Sequence, residues 1–435
     1  MRPSAASKSV LWQRLFASGS FSRSAMSVGG AAAISQLASV VTMPILARLY
    51  DQSAFGHAGA LLAYANILAA ILLFGLSDAA LASDDDEDAV RLTLAGVVVP
   101  VVLAPGMIVL TDFFVDTNRF GLGGLPPYAS GLAIAVVLML VILSHLQNQL
   151  VRVRNFSATA KGYLNLGVTR AGAQLAAGAM GFGFAGLFGG ELVARTLTNL
   201  GMVRSWTKST RRPTSASVGS ILSTLARYRR FLLFRTPSSI LSATAVGLPA
   251  LLVIGQFGAT DAGHFNMTSM MLVAPVVLIQ KAIGDVFIGQ FIGLRREKAD
   301  ATTLIVRVGL TLAGIAAIGG LAIWLLAPWA FSTAFGAEWR TSGEMAIACI
   351  PWFMAMIIVL PLSQVLIVNH RPDLKLGFDF SYIGLLFLAD RIATDNHAGS
   401  LAYVEYISWG SALAYLVYVP LLIWSFLRPG SVASP

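Results

Sequence analysis

Trp206-Thr207-Lys208-Ser209-Thr210-Arg211-Arg212-Pro213-Thr214-Ser215-Ala216-Ser217, leading to Arg227-Tyr228-Arg229-Arg230, is the most polar stretch of the chain. Its flanks decide the fold. A bilayer core about 30 Å thick needs about 20 apolar residues in a helix. On the N-terminal side, runs of that kind lie near 25–49, 55–80, 91–111, 128–150, 161–182 and 184–203. On the C-terminal side they lie near 230–256, 262–292, 304–328, 344–368, 374–392 and 401–427. The polar stretch reads as a linker between two six-helix halves. The expected organisation is an N-terminal segment 1–24, a first bundle 25–205, a linker 206–229, a second bundle 230–427 and a tail 428–435. The fifth and sixth spans are separated by a Gly181-Phe182-Gly183 hinge, and the short eleventh contains Asp379.

Composition agrees with lipid as the solvent. Of 435 residues, 56% are hydrophobic and 12% charged, and the mean hydropathy is +0.74. Soluble domains have roughly 45–50% apolar and about 25% charged residues. The single Cys349 excludes an internal disulfide framework, and the five histidines show no ligand spacing, so neither a metal nor a cofactor is expected. The net charge of +9 would fit nucleic acid only on a basic face of a soluble module, so no nucleic-acid partner is expected. The apolar stretch from Ala25 to Leu49 is too long for the core of a cleavable signal. Residues 1–23, with Arg2, Lys8, Arg14 and Arg23 around Val10, Leu11, Leu15 and Phe16, read as either a short interfacial helix or a disordered tail.

Basic residues give the orientation. With both termini in the cytoplasm, twelve spans put 23 lysines and arginines in cytoplasmic segments and four (Arg48, Arg119, Arg340 and Arg391) opposite, with Arg170, Arg195 and Lys281 inside spans. That asymmetry is the positive-inside rule. The acidic run Asp84-Asp85-Asp86-Glu87-Asp88 reads as a solvated turn rather than a contact for a cation or partner.

The halves look related. Pro44-Ile45-Leu46 leads past Asp51 to Phe55-Gly56-His57, and Pro249-Ala250-Leu251 leads past Asp261 to Ala262-Gly263-His264. Six spans per half make the repeat parallel, and such repeats place the substrate near the midplane between them.

Particular segments carry a resemblance. They are Pro44-Ile45-Leu46-Ala47-Arg48-Leu49-Tyr50 with Phe55-Gly56, Tyr228-Arg229-Arg230-Phe231-Leu232-Leu233-Phe234 with Thr236-Pro237-Ser238, and Phe335-Gly336-Ala337-Glu338-Trp339-Arg340 with Gly343, Pro351-Trp352-Phe353 and Pro361-Leu362-Ser363. Over nearly the whole chain the sequence resembles bacterial polysaccharide and O-antigen flippases of the multidrug, oligosaccharidyl-lipid and polysaccharide exporter superfamily. The chain departs from them in carrying an acidic run where such flippases often have a basic stretch. The resemblance implies an all-α membrane protein of about 12 transmembrane helices, in two pseudo-symmetric six-helix bundles around a central cleft. It also implies an undecaprenyl-diphosphate-linked oligosaccharide as cargo, moved from the cytoplasmic to the periplasmic leaflet of the bacterial inner membrane. Membrane lipids, a polysaccharide polymerase and the export machinery would be its partners.

A diphosphate asks for cations in a polar cavity, and arginine offers it a two-pronged fork. Charges inside spans usually face the bundle interior, because burial in lipid costs roughly 2.5–3.5 kcal/mol each on insertion scales. The candidates are Arg170, Glu191, Arg195, Lys281 and Asp285, with Asp78 and Arg48 at span ends. Arg170, whose polar neighbour at helical spacing is Gln174, is expected either to bind diphosphate with Arg48 or to pair with an acid such as Glu191. Glu191 with Arg195, and Lys281 with Asp285, stand four apart and read as local ion pairs. A cation-coupled drug exporter of the same fold is the alternative function, disfavoured by the excess of intramembrane basic groups. A membrane polymerase or glycosyltransferase would need a sizeable loop of catalytic groups. The longest loop on the less basic side, Thr111 to Pro127, offers Asp112, Asp116 and Arg119, so no enzymatic activity is expected. A scaffold role in an export complex would need the same helices.

Overall fold

The structure, a computed structural model, describes residues 19–209, 217–297, 299–369 and 372–427. The expected helix or tail before residue 19, residues 210–216 of the polar stretch and the segment 428–435 lie outside the described residues. Those described form helices and connecting turns, with no strand among them.

The first lobe contains α1 (Gly19–Leu49), α2 (Gln52–Leu72), the short α3 (Leu76–Ala82), α4 (Asp86–Asp116), α5 (Ala129–Arg152), α6 (Phe156–Ala179) and α7 (Gly183–Ser209). The second contains α8 (Val218–Ile279), α9 (Asp285–Arg296), α10 (Thr302–Phe335), α11 (Arg340–Ala348), α12 (Ile350–Ser363), α13 (Val365–Val368), α14 (Pro372–Asp395) and α15 (Ser400–Leu427). Gly258, at φ 79° and ψ −173°, breaks α8 into two spans. The stretches Ala337–Ala348 and Ile350–Ser363 meet at 57° as one broken span. Each lobe therefore has six spans.

Six stretches are long and apolar enough to cross a membrane by length and composition, and the bent pair adds a seventh. Helices α6, α7, α14 and α15 have 24, 27, 24 and 28 residues. At 1.5 Å per residue these also reach across a core of about 30 Å. The first three are less apolar because they carry Arg170, Glu191, Arg195, Lys375 and Asp379. The chain is a multi-pass membrane protein. Outward rows such as Val41 and Ile45 on α1, and Leu310, Ile318, Leu321 and Leu325 on α10, stay exposed to lipid. Ala54, Ala58, Ala65 and Ala69 are buried along α2, where small side chains let helices approach closely.

Two boundaries differ from the sequence reading. The second span ends at Leu72 because Phe74 (φ 46°) and Gly75 (φ 65°) turn the chain. A Cβ at Gly75 would stand 3.1 Å from the Arg235 side chain, so glycine there accommodates both the left-handed turn and the crossing helix. The polar stretch is helical from Val218, with Ser217 capping the helix by accepting the Ser220 N–H. The hinge between the fifth and sixth spans is where the sequence placed it, with Gly181 at φ 76° and Gly183 at φ 49°.

Candidate functional site

A cavity of about 1510 Å³ lies between the lobes. Its first-lobe wall carries one guanidinium, Arg170, and one carboxylate, Glu191. Arg170, on α6, donates to Ser39 Oγ at 2.6 Å and to Glu191 Oε1 at 3.3 Å. Glu191, 5% exposed, also receives Arg195 from one turn further along α7. Both expected pairings therefore meet on one carboxylate. Arg195 is buried and does not line the cavity, but with it two guanidinium groups meet one acid, and the surplus positive charge of that cluster needs a partner. Gln174 lines the cavity, but its side-chain amide donates to the Leu187 carbonyl at 2.8 Å, while its backbone carbonyl accepts the Tyr50 hydroxyl at 2.6 Å.

The other candidates stand elsewhere. Arg48 is exposed at the end of α1 and does not line the cavity. Asp78, on α3, is paired with Arg235 of the second lobe at 2.5 Å. The expected Lys281–Asp285 pair is absent among the described residues. A π turn at Gln280–Gly284 widens the helix and takes the two residues out of register. Lys281 instead donates to the Gly29 carbonyl at 3.4 Å, and Asp285 is exposed.

The second-lobe wall supplies residues the sequence reading had not assigned to the site. Lys375 Nζ lies 2.7 Å from Asp379 Oδ2 and 2.7 Å from Ser242 Oγ, and Ser242 itself donates to Asp379 at 2.6 Å. Phe378, Tyr382, Tyr415 and Tyr418 line the cavity beside them, as does Arg235. The signals were present in the i,i+4 spacing of Lys375 and Asp379 and the i,i+3 spacing of Tyr415 and Tyr418.

At the end of the seam far from the linker, the lobes touch backbone to backbone. A methyl on Gly56 would overlap the Ala259 carbonyl, and one on Gly263 would overlap that of Gln52. Asn266 donates to the Phe55 carbonyl at 3.1 Å, and the fully buried Trp339 donates to the Ala47 carbonyl at 3.1 Å. At the linker end the crossings are polar: Arg235 to Asp78, Lys281 to Gly29, and the acidic run to the linker helix. That run is the solvated turn expected only in part: Asp84, Asp85 and Asp86 are exposed, and Asp88 is buried. Asp85 caps α4 by accepting the Glu87 N–H at 3.1 Å, and Asp86 pairs with Arg152 at 2.8 Å. Asp88, 1% exposed, holds Arg91 at 3.2 Å, Arg227 at 2.5 Å and the Thr224 hydroxyl at 3.0 Å. It fixes the helix that begins the second half.

Known proteins share this architecture. A family model described as "Polysaccharide biosynthesis protein" matches residues 45–344. The lipid II flippase MurJ, in an inward closed conformation, superposes with a TM-score of 0.72 at 12% identity, over 92% of this chain and 87% of that one. An inward-facing multidrug resistance transporter of the MATE family and MOP superfamily gives 0.62 at 16% identity, over 92% and 100%. A MOP superfamily transporter from Pyrococcus furiosus, reported for the reverse polarity of its binding pocket, gives 0.54 at 14% identity, over 93% and 96%. No curated protein matches by sequence.

Proposed function

The chain belongs to the polysaccharide biosynthesis protein family, and from that membership and the cavity we propose that it is a flippase for lipid-linked oligosaccharide. It moves an undecaprenyl-diphosphate-linked oligosaccharide from the cytoplasmic to the periplasmic leaflet of a bacterial inner membrane, by alternating access, for O-antigen or exopolysaccharide assembly. The observation that carries this reading is the cluster in which Arg170, on the cavity wall, shares the Glu191 carboxylate with the buried Arg195. Its surplus charge suits a diphosphate, and the guanidinium fork can hold one by paired hydrogen bonds. The cavity of about 1510 Å³ exceeds the roughly 300–1,000 Å³ typical of small-molecule sites, as an oligosaccharide headgroup requires. The excess of basic residues on the linker side supports a cytoplasmic linker face and cytoplasmic termini. The seam is then closed on the periplasmic side, and the cavity is placed to load from the inner leaflet. Membrane lipids surround the bundle, and the polymerase and export machinery would take up the product. A drug exporter on this fold would favour an acidic wall, whereas the carboxylates lining this cavity, Glu191 and Asp379, are each paired with a cation. A polymerase would need catalytic groups outside the spans.

The test is translocation of undecaprenyl-diphosphate-linked oligosaccharide by full-length protein in proteoliposomes. Arg170→Gln leaves Glu191 paired with Arg195. It should lower the rate about ten- to a hundredfold, because hydrogen bonds to charged groups contribute about 1.5–3 kcal/mol. No transport by the unmodified chain, or an unchanged rate for Arg170→Gln at equal incorporation, defeats the reading.

A further inference from the structure

The two walls of the cavity differ in chemistry. The second-lobe wall is a cluster of rings from α14 and α15. Phe378 lies 4.2 Å from Tyr418, 5.3 Å from Tyr415 and 5.8 Å from Tyr382, centroid to centroid. The Tyr382 hydroxyl donates to Ser411 Oγ at 3.1 Å, which fixes that ring. The hydroxyls of Tyr415 and Tyr418 have no hydrogen-bond partner among the described residues, and both residues line the cavity. Each phenol has an apolar body and a polar tip that seeks a partner, so these two hydroxyls, on the cavity lining, are free for a ligand.

The adjoining charges narrow the ligand class. Asp379, 2% exposed, is neutralised by Lys375 and further held by Ser242. The carboxylate therefore neither attracts a cationic drug nor repels an anionic headgroup. Lys375 is engaged by Asp379 and Arg235 by Asp78, so the wall offers a diphosphate little. Saccharides fit what remains. Their weakly positive C–H faces pack on the negative faces of aromatic rings, and their hydroxyls exchange hydrogen bonds with phenols and amides. Gln280 and Gln364 line the same cavity.

We propose that this wall is a saccharide subsite, so that the cargo's headgroup is divided between the lobes: diphosphate at Arg170 of the first, sugar on the tyrosines of the second. The inference rests on the flippase reading and deepens it. A cargo that touches both walls links the lobes directly, which a ligand seated on one wall alone would not do.

The test compares two probes on full-length protein in nanodiscs: a polyprenyl diphosphate carrying an N-acetylhexosamine–hexose disaccharide, and the same lipid bare. Ring stacking discriminates little among pyranoses, so a generic disaccharide suffices. The native chain should bind the glycosylated probe about tenfold more tightly than the bare one. The double variant Tyr415→Phe/Tyr418→Phe keeps every ring, and size exclusion checks its folding. It should lose about tenfold on the glycosylated probe and nothing on the bare one, whereas Arg170→Gln should lose affinity for both. Equal binding of the two probes by the native chain, an unchanged double variant, or equal losses on both probes would overturn the subsite and leave the flippase reading standing. Binding of neither probe by the native chain would overturn both.

Discussion

At the far end of the seam the lobes meet through glycines, where Gly56 faces Ala259 and Gly263 faces Gln52 with no room for a methyl, and through the buried indole of Trp339. At the linker end they meet through Arg235 and Asp78, whose side chains are 48% and 33% exposed, through Lys281 and Gly29, and through Asp88 and Arg227. The first closure depends on shape. It is short-ranged, indifferent to salt and close to all-or-none, because packed interfaces have discrete arrangements rather than continuous ones. The second depends on charge, which weakens gradually and is screened by ions. A carrier that alternates must open one end while the other holds. The comparison teaches that the two ends answer to different perturbations.

The largest effect is expected from breaking the shape-dependent end. Gly56→Ala puts a methyl into the Ala259 carbonyl, and overpacking of this kind costs about 1–3 kcal/mol. Transport should fall at least tenfold. Opening of the far end can be read with a cysteine at Ala262, which is 4% exposed in the seam. The chain's own Cys349 is buried, so background labelling by an impermeant maleimide is low. Ala262→Cys should resist the reagent alone and react when combined with Gly56→Ala. Continued protection with full transport would show that the glycine contact is incidental.

That contact was partly legible in the sequence. The repeated Gly-His pairs at Gly56-His57 and Gly263-His264 were read as a mark of related halves, and in the structure both glycines sit at the seam, each against the other lobe's backbone. Helices that cross so closely need positions without side chains, so one physical requirement produced both the pattern and the contact. Span number and the Gly181–Gly183 hinge were legible for a similar reason, since apolar length and glycine placement are local properties. The aromatic wall was not. Phe378 and Tyr418 are forty positions apart, and within one span a tyrosine reads the same whether it faces lipid or a cavity. Arg235 was read as an orientation charge because counting basics along the chain treats position in one dimension, whereas its partner Asp78 belongs to the other lobe. Lys281 and Asp285 were paired on ideal helical geometry that the π turn at Gln280–Gly284 removes.

A smaller but clear effect is expected at the buried part of the charged end. Asp88 supports Arg91, Arg227 and Thr224 together. Asp88→Asn keeps the shape and the Thr224 contact while removing the charge, at a cost of about 1.5–3 kcal/mol. The melting temperature should drop by several degrees, against no change for Asp84→Asn four residues earlier, where the side chain is exposed. Equal melting of the two variants would return the acidic run to a solvated turn.

The smallest effect is expected at Arg235. Its pair with Asp78 is close, at 2.5 Å, but about half of the arginine side chain is exposed. Pairs so exposed typically contribute below about 1 kcal/mol, and less as salt rises. Arg235→Gln should therefore barely move the melting temperature, and any shift seen in dilute buffer should vanish near 1 M salt, where the Debye length is about 3 Å. Gly56→Ala should behave the same in both buffers, since nothing in its clash is electrostatic. If Arg235→Gln instead cost more than Asp88→Asn, or kept its effect at high salt, the linker end would be held by packing around Gly75, where the Arg235 stem meets the glycine turn, and the two ends would differ in place but not in kind.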